Sequence, residues 1–169
     1  MTWFRMAVLA AFATLLPTIC AWTTEKKDNK LPSDARAILE KAEQLELLSL
    51  DPAVEGVKAA EGFHGWKILG KTVVKDASTR KQILTALDKG IAESDGNGAK
   101  CFDPRNGIRA KRGNKTVDLV ICFECGWIYV FHGDKEDRQG VAVTTGTPQA
   151  VLDKVLKEAK VPLPKPAKK

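Results

Sequence analysis

The sequence predicts an α+β fold: two layers, with an antiparallel sheet of about four strands and helices packed on one face. Two observations carry this. The first is a hairpin centred on Gly113-Asn114, a favoured two-residue turn with Gly where φ > 0 is needed and polar, basic residues on either side. The second is the order of periodicities along the chain: helix, strand, helix, three strands in meander, then helix. Short links between the last strands favour antiparallel pairing.

Residues 1–21 have the form of a secretory signal peptide. Arg5 precedes an apolar run from Met6 to Leu16, Pro17 breaks it, and Ile19-Cys20-Ala21 leads into a polar stretch. The run is too short to cross a bilayer comfortably. Ile19 is also a poor residue to precede Cys20 in a lipoprotein. The expectation is a secreted, periplasmic or cell-envelope protein with no membrane span after cleavage. Residues 22–32 are a polar linker, 33–160 a single domain, and 161–169 a disordered, Lys/Pro-rich tail.

Within the domain, Ser33 or Asp34 caps a first helix whose stripe is Ile38, Ala42, Leu45 and Leu47 or Leu48, stopped by Asp51-Pro52. Residues 53–62 fit a loop or a short helix. From Phe63 to Lys75 the period is two: Trp66, Ile68 and Val74 share a face, and Lys67, Lys71 and Lys75 take the other. Asp76 or Ser78 caps a second helix with Ile83, Leu84, Leu87 and Ile91 on one side. The two-residue turn then fixes the hairpin register, so that residues whose numbers sum to 227 oppose each other. Val117 faces Ala110, Leu119 faces Ile108, Phe123 faces Pro104, Cys125 faces Phe102, and Asp118 meets Arg109 on the other face. Pro104 and Gly107 call for a bulge between Cys101 and Ile108. The second hairpin strand runs on through Gly126 to Phe131. A short strand follows at 139–145, and a last helix opens at Thr147-Pro148 with Val151, Leu152, Val155, Leu156 and Ala159 inward.

Charge is unevenly placed. The chain carries +6, of which residues 157–169 supply +4, with five Lys and one Glu, and the leader +1. The folded part is therefore close to neutral. Arg105, Arg109, Lys111, Arg112 and Lys115 cluster on the hairpin and are the candidates for gripping an anionic partner. No aromatic residues interleave as stacking platforms, so no nucleic acid is expected. Asn114-Lys115-Thr116 is a glycosylation sequon, meaningful only in a eukaryotic secretory pathway.

Three cysteines lie beyond the leader: Cys101, Cys122 and Cys125. In a continuous strand the Cα atoms of Cys122 and Cys125 would stand about 10 Å apart, beyond the ~7 Å that a disulfide spans. A one-residue bulge brings Cys101 opposite Cys125 instead. The expected state is a Cys101–Cys125 disulfide with Cys122 a buried free thiol. The alternatives are a thiol-redox role or zinc held by Cys101, Cys122 and Cys125, with His132, His64 or Asp103 as fourth ligand. His64 and His132 are otherwise strand-end residues. No nucleophile elbow, phosphate loop or His-Glu-x-x-His is present, and no catalytic residue is assigned.

Phe63-His64-Gly65-Trp66 through Leu69-Gly70-Lys71-Thr72, then Cys101-Phe102-x-Pro104-Arg105, then Val117 to Cys125 (VDLVICFEC), resemble a family of small exported bacterial proteins with no assigned activity. The resemblance covers about residues 47–131. The family pattern has His after Pro-Arg, where this chain has Asn106. For this chain the resemblance therefore implies a structural role for the cysteines more than zinc or catalysis. The expected function is that of an exported, non-enzymatic domain binding an envelope or extracellular partner and holding no cofactor.

Overall fold

Leu45, Leu47, Leu48 and Leu50 set the centre of the sheet. In the computed structural model, which describes residues 29–165 except 59, 134, 136, 137 and 139, they lie on a strand, β1 (Gln44–Asp51), and not on a helix. The first helix, α1 (Ser33–Glu40), is short, and its first turn is capped by no side chain, although Asp34 Oδ1 accepts from the Ala35 N–H. All four leucines of β1 are buried. A central strand covered on both faces needs apolar residues on both, so its spacing resembles a helical stripe.

The remaining strands are β2 (Gly62–Phe63), β3 (Trp66–Val73), β4 (Asn106–Arg112), β5 (Lys115–Cys122), β6 (Trp127–His132) and β7 (Gly140–Val143). They form one antiparallel sheet in the order β2-β3-β1-β4-β5-β6-β7. The expected four strands thus become seven among the described residues. β1 had the spacing of a helix, β2 is two residues long, and the long second hairpin strand breaks into β5 and β6.

Alternate residues divide between two clusters. Leu45 and Leu47 join Ile108, Ala110, Val117, Leu119, Ile121, Ile128 and Val130 in the larger one. There they meet Ala35, Ile38 and Leu39 of α1, Ile83, Leu87 and Ile91 of α2 (Ala77–Glu93), and Leu152 and Leu156 of α3 (Thr147–Glu158). Leu48 and Leu50 join Phe63, Trp66, Val120 and Phe131 in the other. Burying each of the Leu, Ile, Val and Phe side chains contributes roughly 1.5–3 kcal/mol. The register slips between Ser49 and Leu50, which pair with Gly70 and Ile68 and leave Leu69 over. This bulge reverses the alternation. Trp66 and Ile68 therefore pack in the smaller cluster while Val74 packs in the larger, and they do not share a face.

The hairpin register follows the sum of 227 from Asn106↔Ile121 to Arg112↔Lys115, with Gly113 at φ +57°. Regular pairing ends at Asn106, but the Arg105 N–H also reaches the carbonyl of Ile121, the partner of Asn106, at 3.2 Å. Two residues thus face one within the stretch where a bulge was expected, and Pro104 and Phe102 lie beyond the ladder. Asp76 caps α2 as expected, accepting from the Thr79 N–H at 2.6 Å. Thr147 is the first residue of α3, not its cap.

Both ends of the described chain are tied down. The Asn29 side chain bonds the Ile91 and Val143 carbonyls and the Val143 N–H, so the expected linker joins the body before residue 33. Val161 and Leu163 pack against the larger cluster, where an unstructured tail was expected. A side chain at Gly70 would sit 2.9 Å from Val161 Cγ1, so glycine is what admits this strap. No described helix is long and apolar enough to cross a membrane. The leader lies outside the described residues.

Candidate functional site

β5 ends at Cys122. The chain then turns through Phe123, Glu124, Cys125 and Gly126, with Gly126 at φ +74°, and returns as β6. The turn brings the Cα atoms of Cys122 and Cys125 to 5.4 Å, and the two cysteines form a disulfide. The pairing differs from the expected Cys101–Cys125 bond because the premise of a continuous strand fails. Gly126 was the available signal, since a positive φ there ends the strand. Phe123 turns into the larger cluster, and both bonded cysteines are buried. The Cys125 N–H donates to Cys122 Sγ at 3.2 Å.

Cys101, not Cys122, is the free cysteine, and it is exposed. The segment carrying it lies along the turn. Ala99 donates its N–H to the Cys125 carbonyl at 2.8 Å, and its own carbonyl accepts from Trp127 Nε1 at 2.6 Å. On the far side Phe102 stacks on Tyr129, ring centroids 3.8 Å apart. The result is a cluster in which Cys101 Sγ, Cys125 Sγ and an Asp103 carboxylate oxygen all lie within 4.8 Å of one another. This places the three cysteines in one site, with Asp103 beside them. His64 and His132 are elsewhere.

Arg105 borders the cluster and is buried. Its Nη1 donates to the Lys165 carbonyl at 2.6 Å and its Nη2 pairs with Glu124 of the Cys122–Cys125 turn at 3.3 Å. The five hairpin cations therefore do not form one uniform exposed cluster. Arg105 and Arg109 are committed to partners inside the fold, and Lys111, Arg112 and Lys115 stay exposed near the turn.

A second cluster forms where the β2–β3 turn folds over the sheet. Phe63 lies on Gly107, where an added Cβ would come within 2.7 Å of the ring. His64 and Gly65 have φ of +50° and +89°, the successive positive values of a primed two-residue turn. His64 Nε2 is 2.8 Å from Asp118 Oδ2, and its ring stacks on Phe131 at 3.8 Å. Arg109 donates to both Asp118 oxygens, at 2.9 and 2.6 Å. Burial pushes the Asp118 carboxyl up, but hydrogen bonds from Arg109 and His64, and their charges, outweigh it and hold it below the usual carboxylate range. The Arg109–Asp118 pair follows from the hairpin register. His64 was missed as its third member, although His-Gly between Phe63 and Trp66 is a turn signal.

Chemically the second cluster is a closed ion network. The cysteine cluster has an exposed sulfur, a neighbouring disulfide and a carboxylate, and it is the candidate site. Comparison with protein-family models, with curated proteins and with solved structures gives no match.

Proposed function

We propose that this is an exported thiol–disulfide protein whose working groups are Cys101, Cys122 and Cys125. The observation that carries the reading is the approach of the free Cys101 sulfur to within 4.8 Å of Cys125, itself bonded to Cys122. In the exchange, the Cys101 thiolate attacks Cys125 Sγ. A Cys101–Cys125 bond forms, the Cys122–Cys125 bond breaks, and the electron pair leaves on Cys122. One thiolate is consumed and one released, so no oxidant is needed. The Cys125 N–H is already directed at the sulfur that takes the charge. Cys101 is the outer sulfur, through which a partner's thiol or disulfide would enter.

A purely structural role is the second reading: a non-enzymatic, partner-binding domain stapled by its disulfide. It is favoured by the burial of both bonded cysteines. Loop length speaks against it. By chain entropy a bond spanning a sequence separation of 3 contributes about 2 kcal/mol, against about 3.5 for one joining Cys101 to Cys125. The bond in place is the weaker staple.

Disulfide mapping after acid quench of the oxidised, metal-free protein tests the choice. Exchange gives both Cys122–Cys125 and Cys101–Cys125 isomers, and blocking Cys101 by native alkylation leaves only the first. A single isomer, with Cys101 alkylated no faster than an ordinary exposed thiol, returns the protein to the structural reading.

A further inference from the structure

We infer that the reduced form of the cysteine site binds one soft divalent cation of zinc's class, with Cys101, Asp103, Cys122 and Cys125 as its four ligands. The inference rests on the reading of these cysteines as a reducible set. Disulfide and metal then exclude each other, because both use the same sulfurs.

The geometry supports the donor set. In a tetrahedral site with zinc–sulfur bonds of about 2.3 Å, neighbouring sulfurs stand about 3.8 Å apart. Cys101 Sγ, Cys125 Sγ and the Asp103 oxygen already lie within 4.8 Å of one another, about 1 Å from that requirement. Cys122 Sγ, bonded to Cys125 Sγ, adds the fourth donor once the bond is reduced. Cys122 Sγ lies outside the set that falls within 4.8 Å, so once parted from Cys125 Sγ it must also swing towards Cys101 and Asp103. Cys101 and Asp103 are exposed, which gives an ion an entry path, while Cys122 and Cys125 are buried.

Both histidines are placed elsewhere, His64 against Asp118 and His132 near Asp34 at 3.5 Å. Asp103 is therefore the ligand that completes four. Three thiolates with one carboxylate favour zinc-class ions over calcium or magnesium, which take all-oxygen sets. Reduction by a trialkylphosphine converts the disulfide and one water into two thiols and the phosphine oxide. Binding then releases the thiol protons.

The test uses the whole chain, reduced with a trialkylphosphine and titrated anaerobically with Co²⁺ and then Zn²⁺. One equivalent of Co²⁺ should bring up thiolate-to-cobalt charge-transfer absorption, and one of Zn²⁺ should abolish it. The oxidised protein should show neither. Asp103→Asn should weaken the apparent affinity by at least about tenfold, and Cys101→Ser should remove the charge-transfer band at one equivalent. If Cys101→Ser fails to fold, as judged by circular dichroism, Asp103→Asn carries the test alone. The inference is overturned by a reduced protein without the band, by equal binding in the oxidised form, or by an unchanged affinity in Asp103→Asn. Its failure is separable from that of the exchange reading, because exchange is read in oxidised, metal-free protein and metal binding in reduced protein.

Discussion

His64 reaches over the sheet to Asp118: Nε2 and Oδ2 are 2.8 Å apart, with the carboxylate fully buried and the histidine backbone at φ +50°. A left-handed non-glycine residue costs of order 1 kcal/mol or more and persists only where its surroundings over-determine it. Here Asp118 and the Phe131 ring hold it.

Asp118→Asn should destabilise the protein by about 3 kcal/mol, the low end for breaking a buried pair, because Arg109 is 36% exposed and can turn partly to water. Urea unfolding measures it. A cost under about 1 kcal/mol would mean that the network contributes little to the fold.

The same carboxyl sets a pH dependence. Its folded-state pKa lies below the ordinary value, about 3.9. Its stabilisation is therefore complete above that value and is lost as pH falls through the folded one. The stability difference between wild type and Asp118→Asn should be present at pH 5 and shrink below about pH 4. Denaturant midpoints at pH 6, 5, 4 and 3 report it.

Ser49 and Asn106 face each other across β1 and β4, both wholly buried, and neither Ser49 Oγ nor the Asn106 amide atoms have a hydrogen-bond partner among the described residues. A buried, unpaired polar group costs roughly 1–3 kcal/mol. Ser49→Ala should accordingly raise stability by about 1 kcal/mol, read as an increased thermal midpoint. A loss of stability would show that the hydroxyl is satisfied.

Removing residues 161–169 should cost about 2–3 kcal/mol, since Val161 and Leu163 each bury part of an apolar side chain against the core. It should also free Arg105 Nη1 from the Lys165 carbonyl. Equilibrium unfolding of the truncated chain tests both effects together, and an unchanged midpoint would show that the strap contributes nothing.

Sequence patterning made some of this visible and hid the rest for physical reasons. The Gly113-Asn114 turn dictates the hairpin register, so the pairing of Arg109 with Asp118 is local information. The caps and apolar faces of α2 and α3 are likewise local, to within a residue at the caps, although Ala159, expected inward, is exposed just past the end of α3. β1 was hidden because a strand buried on both faces loses its period of two. The Cys122–Cys125 bond was hidden because residues 117–131 are mostly apolar and read as one strand, with only Glu124 and Gly126 to mark the turn. Asp103, two residues from Cys101, is legible as one candidate neighbour of the cysteines but not as the one chosen over His64 and His132. The approach of His64 to Asp118 is not legible, since it depends on a turn folding back over a finished sheet.

That β1 pairs with β4 has a consequence for how the chain folds. Glu46 must wait for Arg109, 63 positions later, before its central ladder can close, although β3 reaches it sooner. The β4–β5 hairpin needs only its own two-residue turn, and such hairpins form in about 1–10 μs. The latest-paired neighbour of β1 is thus the one able to form first on its own, a ready edge for Leu45, Leu47, Leu48 and Leu50 to dock upon. Until that edge exists, the four leucines are a sticky apolar segment. Substitutions that slow the Gly113-Asn114 turn will lengthen their exposure and, with it, the window for aggregation.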